Sequence, residues 1–177
     1  GSFANVKLEY STNGFLNELQ TFLISASAPA ATLSFAWTLP DAIGTILKVR
    51  ASDAADAAEV TDASDANFTI KGSLTLNAPN GGETWVVGTS QNITWAKTGT
   101  IATVKLEYST DGGTTYPNVI TVSVLGGDLT YAWTIPDTIS ATVRVKVTSL
   151  ADATVTDASN ANFKITGSLT VTAPNGA

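Results

Sequence analysis

The segment Val104-Lys105-Leu106-Glu107-Tyr108-Ser109-Thr110 occurs a second time, letter for letter, as Val6-Lys7-Leu8-Glu9-Tyr10-Ser11-Thr12. A duplicated stretch confines the chain to a repeat architecture, in which both copies must satisfy one set of contacts. Val, Leu and Tyr alternate with Lys, Glu and Ser. That is the period of a strand with one face buried and the other wet.

The second copy reads as a series of short strands. Ser73 to Asn77 alternates, and Ala78-Pro79-Asn80-Gly81-Gly82 turns, because Pro cannot donate to a ladder and Gly permits positive φ. Thr84 to Val87, Asn92 to Trp95, and 102–109 are strands. Asp111-Gly112-Gly113 closes a hairpin into a strand from Asn118 to Val124. Thr130 to Ile135 is a strand stopped by Pro136. Val143, Val145 and Val147 alternate with Arg144, Lys146 and Thr148, and Ala161 to Ile165 ends the copy. Evenly spaced short strands with no helical period predict an all-β fold, an antiparallel β-sandwich.

The first copy repeats this from Gly1. Trp37-Thr38-Leu39-Pro40-Asp41 answers Trp133 to Asp137, Lys48-Val49-Arg50 answers Arg144 to Lys146, and Val60 to Ser64 answers Val155 to Ser159. Residues 73–98 have no first-copy partner. Gly167 to Gly176 repeats Gly72 to Gly81. The expected organisation is an incomplete sandwich over 1–71 lacking its opening two strands, a complete one over 72–167, and the first strand of a third repeat over 168–177. Both ends then fall inside a repeat, as in a window on a longer array. Two coverings are open for the first copy's apolar face. One is a neighbouring segment of the same polypeptide. The other is strand donation, with Leu169 and Val171 of one chain as the interface residues on the next, which builds a filament.

The run Leu-Thr-x-x-Ala-Pro-Asn-Gly-Gly-Glu-Thr-Trp at 74–85, followed by Ile93-Thr94-Trp95, Ser109-Thr110-Asp111-Gly112-Gly113, Trp133-Thr134-Ile135-Pro136-Asp137 and Asn162-Phe163, resembles a known repeat domain. That domain is the Ser/Thr-rich β-sandwich of the yeast cell-wall-synthesis type, from the GPI-anchored membrane family. It also occurs in tandem in large prokaryotic surface proteins. The resemblance implies tandem immunoglobulin-like modules at an extracellular or cell-surface location, and it transfers no catalytic residue. Within it, Ser109-x-Asp111-x-Gly113-x-Thr115-Tyr116 is similar to the Asp-box hairpin. The first copy departs from that pattern as Ser11-Thr12-Asn13-Gly14-Phe15, which favours a fold-stabilising role.

Candidate chemistry is sparse. The chain has no Cys and no His, so thiolate chemistry and the commonest general base are missing. Glu9 and Glu107 are placed on a wet strand face, in a charge ladder with Arg144 or Lys146 rather than as a hydrolytic pair. Lysines that alternate outward argue against isopeptide bonds. Asp53, Asp56, Glu59, Asp62 and Asp65 crowd one loop, and Asp152, Asp157 and Asn160 another. Their hard oxygens suit Ca²⁺, the one cofactor with candidate ligands (Asp62, Asp65, Asp157, Asn160), although no EF-hand or nonapeptide spacing is present and turn amides are competing partners. Trp37, Trp95 and Trp133 are expected in the core, with Trp85 as the partly exposed exception beside the Gly-Gly turn. Asn67 and Asn92 fit the N-glycosylation pattern within predicted strands.

The net charge of −6 disfavours nucleic acid as a partner, and no apolar run is long enough to span a membrane. The expected function is a non-enzymatic structural module of a surface stalk, filament or lattice, with neighbouring copies as partners. The alternative is a non-catalytic module of a secreted enzyme or adhesin that binds cell-wall glycan or protein.

Overall fold

The computed structural model describes residues 3–57 and 60–173, and these divide into two compact units that part between Lys71 and Gly72. Both are all-β, with several antiparallel sheets. Among the described residues the helical structure is confined to two single 3₁₀ turns, Glu18–Gln20 and Ala30–Thr32.

The second unit contains β6 (Ser73–Ala78), β7 (Thr84–Val86), β8 (Ser90–Thr98), β9 (Thr103–Ser109), β10 (Asn118–Leu125), β11 (Thr130–Thr134), β12 (Ser140–Ser149), β13 (Thr156–Ala158) and β14 (Phe163–Thr166). One sheet runs β11-β8-β6. The other runs β10-β9-β12-β14-β7, with β13 also pairing β12, and β14 and β7 lie parallel. Alternation does what the period demands. Along β9 Val104, Leu106 and Tyr108 are buried while Thr103, Lys105 and Glu107 are half-buried, and β12 buries Val143, Val145 and Val147 in the same way.

The other sheet turns Leu74, Leu76, Ile93, Trp95 and Trp133 into the same core. The Trp95 indole N–H donates to the Gly126 carbonyl at 3.1 Å, so a large ring is buried without an orphaned donor. Trp85 is also buried, at 8% exposure, with its ring 4.9 Å from Phe163 and 6.1 Å from Trp133. The partial exposure expected for Trp85 is therefore corrected. The parallel β7–β14 pairing carries it inward, past the turn that suggested a surface position.

The first unit contains β1 (Asn5–Ser11), β2 (Thr21–Pro29), β3 (Gly44–Asp53), β4 (Thr61–Ala63) and β5 (Phe68–Ile70). They pair in the order β2-β1-β3-β4, with β5 also on β3. The register reproduces that of the second unit. Ser11 faces Lys48 as Ser109 faces Arg144, and Glu9 faces Arg50 as Glu107 faces Lys146. No described strand of this unit corresponds to β6, β7 or β8. A second difference follows from the first. Trp37-Thr38-Leu39, the counterpart of β11, is not a strand. In the second unit β11 pairs with β8 alone, so without that neighbour its ladder has no acceptor.

The buried face of β1 opens accordingly. Val6 and Leu8 are only half-buried where Val104 and Leu106 are fully covered, and Ala51 is exposed where Val147 is not. The remaining core is Tyr10, Leu47 and Ile70, with Trp37 half-buried against Tyr10 and Phe68. Residues 168–173 form no strand; Leu169 is fully exposed and Val171 is 68% exposed. The rest of the expected third-repeat strand, 174–177, lies outside the described residues.

Amide exchange at β9 and β12 is expected to be far slower than at β1 and β3 in dilute protein, because the latter lack a covering layer. Trp95→Ala should cost about 3–5 kcal/mol in urea unfolding of the second unit, while leaving exchange at β1 and β3 unchanged.

Candidate functional site

Three places hold chemistry-bearing side chains, and their partners define what each does. The first is the charged face of the duplicated strand. Glu107 accepts from Lys105 Nζ at 2.6 Å and from Lys146 Nζ at 3.2 Å. Glu9 accepts from Lys7 Nζ at 2.6 Å and from Arg50 Nη2 at 2.9 Å, and Arg50 reaches on to Glu18 at 3.1 Å. The expected cross-strand ladder is present with Lys146. Arg144 takes no part: its guanidinium donates to Asn162 Oδ1 and the Ser159 carbonyl.

The face is less wet than its letters suggest. Glu9 is only 8% exposed, because the aliphatic stems of its cationic neighbours lie along it. Arg50 also lies 4.6 Å over the Phe15 ring, and Lys146 lies 4.5 Å over Tyr116. Burial alone raises the carboxyls of Glu9 and Glu107. The hydrogen bonds from Lys7 and Arg50, and from Lys105 and Lys146, outweigh it and hold both below the ordinary glutamate value. Both carboxylates are thus engaged by cations of their own sheet.

The second place is the hairpin after the duplicated strand. Ser109 Oγ accepts from the amides of Asp111 and Gly113 and donates to Asp111 Oδ1, which in turn accepts from the Thr115 amide at 3.0 Å. These bonds, from the Ser109 hydroxyl first and then Thr115, push the Asp111 carboxyl well below its usual range. In the first unit Ser11 repeats the hydroxyl part of the network through Asn13 and the Phe15 amide. Phe15 has φ 63° where the second copy has Gly113 at φ 90°. A Cβ at Gly113 would meet Arg144 Cδ at 2.9 Å. All of these partners are local, which is a fold-stabilising arrangement.

The third place is the acidic loops. Among the described residues no group of three or more acidic side chains converges as a metal cage. Asp157 sits on β13, and its Oδ2 accepts the Leu76 amide of β6 at 2.7 Å. Ser159 Oγ donates to the Pro79 carbonyl at 2.7 Å, and the Asn160 amide donates to Asn80 Oδ1 at 2.7 Å. Together they fasten β6 and its turn onto the opposite sheet. Their first-unit counterparts, Asp62, Ser64 and Asp65, face no such strand. Asp62 and Asp65 are exposed, and the Asp65 carbonyl accepts from Lys48 Nζ at 3.1 Å. Asp53 Oδ1 caps the Ala55 amide and Asp152 Oδ1 the Thr154 amide; Asp56 is exposed, and Glu59 is outside the described residues. Asn92 is exposed within β8, and Asn67 is exposed one residue ahead of β5 rather than in a strand.

The open face of the first unit is the remaining feature. Phe3, Val6, Leu8, Ala28, Phe35 and Ala51 line an apolar cleft of about 420 Å³ there. Only its strand pattern was legible beforehand; the missing β11 counterpart was not, since that loss depends on a neighbouring strand.

No family model, curated protein or solved structure matches this chain. No helix among the described residues is long and apolar enough to cross a membrane.

Asp157→Ala is expected to lower second-unit stability by about 1–2 kcal/mol, by stranding the Leu76 amide, and equally with millimolar calcium or with chelator. A calcium-dependent rise in Tm that Asp62→Ala or Asp157→Ala removes would favour the metal reading. A depressed carboxyl stabilises the fold above its unfolded value of 4.5 and ceases to do so as pH falls through its lower folded value. Glu107→Gln should therefore cost up to about 1 kcal/mol at neutral pH. In guanidinium-free urea melts that difference should shrink steadily below pH 4.5.

Proposed function

We propose that the chain is a scaffold segment: tandem immunoglobulin-like sandwiches that serve as spacers in an extracellular or cell-surface repeat protein. The observation that carries this reading is the duplicated sheet itself. Two units share one register across β1–β3 and β9–β12, and the charged groups they share are spent on each other within the sheet. The strand order β11-β8-β6 against β10-β9-β12-β14-β7, with the parallel β7–β14 pair, favours the immunoglobulin-like description of the complete unit. The resemblance to Ser/Thr-rich surface modules supports the location.

No residue acts chemically in this reading. The carboxylates with depressed pKa are held in ion pairs or hairpin bonds, and Trp85, Trp95 and Trp133 are buried, so none of these three offers a ring for a glycan to stack on. The work is mechanical. Force along the strands loads many ladder hydrogen bonds at once, and the link Lys71-Gly72-Ser73 is short.

Stretching single chains by atomic force microscopy tests the mechanical role. The second unit should give one discrete unfolding peak, and Trp95→Ala should lower its force. Antibody labelling of intact source cells tests location. Smooth extension without a peak, or labelling only after permeabilisation, would sink the proposal.

A further inference from the structure

The strand that ends the larger sheet of the second unit is built from residues that invite another strand. β10 contains Val119-Ile120-Thr121-Val122-Ser123-Val124-Leu125, with no charge, glycine or proline, and among the described residues it pairs on one side only, with β9. Val119, Val122 and Leu125 are exposed, Val122 to 70%. β2 ends the sheet of the first unit in the same way. Its Phe22-Leu23-Ile24-Ser25-Ala26-Ser27-Ala28 is equally free of charge, glycine and proline, and among the described residues it pairs only with β1. Uncharged edges rich in branched and aromatic residues are templates for pairing between chains. The usual guards, an edge lysine or proline, are missing from both stretches.

Both edges have instead a break in register at the same places. β10 advances from Val119 to Thr121 while β9 moves only from Glu107 to Leu106, and from Thr121 to Val124 while β9 moves from Leu106 to Val104. β2 advances from Leu23 to Ser25 against Glu9 to Leu8, and from Ser25 to Ala28 against Leu8 to Val6. Each edge strand therefore gains a residue on its partner at both points. The match holds although the two edges share only Ile24 with Ile120 and Ser27 with Ser123.

The second break is closed by a hydroxyl. Thr121 Oγ1 donates to the Ser123 carbonyl at 3.1 Å and accepts from the Ser123 amide at 3.4 Å. At the equivalent point Ser25 Oγ accepts from the Ser27 amide at 3.3 Å. A hydroxyl residue thus stands at this position in both copies and holds the backbone of the residue two places on.

We infer that this doubled, hydroxyl-closed bulge guards the sheet edge against pairing between neighbouring copies. A repeat array places near-identical sheets at high local concentration, and misassembly between copies is its characteristic failure. An incoming strand needs a straight, evenly spaced row of amides and carbonyls. A bulge sets two residues against one, bends the strand and increases its twist. The Thr121 hydroxyl also engages an amide and a carbonyl of the same strand. With the edge guarded by its backbone, apolar side chains at Val119, Val122 and Leu125 are tolerated without a charge beside them. The inference goes beyond the scaffold reading, since it requires only that two copies of the sheet share a chain.

Deletion of Val122 is the test. It restores even spacing between Thr121 and Val124, opposite Leu106 and Val104. It also removes the most exposed side chain of the edge, so hydrophobicity alone expects weaker association and loss of the guard expects stronger. In sedimentation of the full chain from low micromolar to millimolar concentration, the deletion should strengthen self-association at least about tenfold over wild type, the contribution of one or two added ladder hydrogen bonds. Ser123→Lys in the same background should return it to the wild-type level by charging the straightened edge. Thr121→Val keeps the chain length and should shift association in the same direction by a smaller factor. It carries the test if circular dichroism shows that the deletion does not fold. Unchanged association in every folded variant overturns the inference. So does wild-type association that Val122→Lys abolishes, because the edge would then be a working interface. Neither result bears on the unfolding peak or the surface labelling that test the scaffold reading.

Discussion

An apolar sheet face needs a second layer, and nearly every feature of this chain follows from where that layer is supplied. The two units are built on one sheet, with the same strand, the same register and the same paired charges. In the second unit β6, β8 and β11 close over it, and Val104, Leu106, Val143, Val145 and Val147 lose all contact with solvent. Covering a single aliphatic side chain of this kind contributes about 1.5–3 kcal/mol. In the first unit identical residues, Val6 and Leu8, are left half-buried. The contrast separates what a sheet does for itself from what it owes to its cover. Hydrogen-bond register, the Glu–Lys and Glu–Arg pairs and the serine-centred hairpin persist without the cover. Side-chain burial and the β11 strand do not.

That division explains which parts of the structure the letters disclosed. Where the partner strands are present, alternation and turns were enough, and β9, β10 and β12 fall where the pattern puts them. Trp37-Thr38-Leu39 reads like Trp133-Thr134-Ile135 and yet forms no strand, because strandedness there depends on a neighbour some forty residues upstream in the second copy. Trp85 was misjudged for the same reason. Its burial comes from a parallel contact with β14, which no local pattern reports. Glu9 looked wet because alternation assigns faces and is blind to cation stems folding over a carboxylate.

The acidic residues carry the same lesson further. Read as a list, Asp62, Asp65, Asp157 and Asn160 look like oxygen ligands awaiting a hard cation. Asp157 instead spends an oxygen on a backbone amide from the opposite sheet, and Asn160 offers its own amide to Asn80. A carboxylate that accepts a backbone N–H across the sandwich contributes as a bolt between layers, with a direction and a partner, which a cation cage lacks. Asp62 has the position of such a bolt, and among the described residues its carboxylate is exposed.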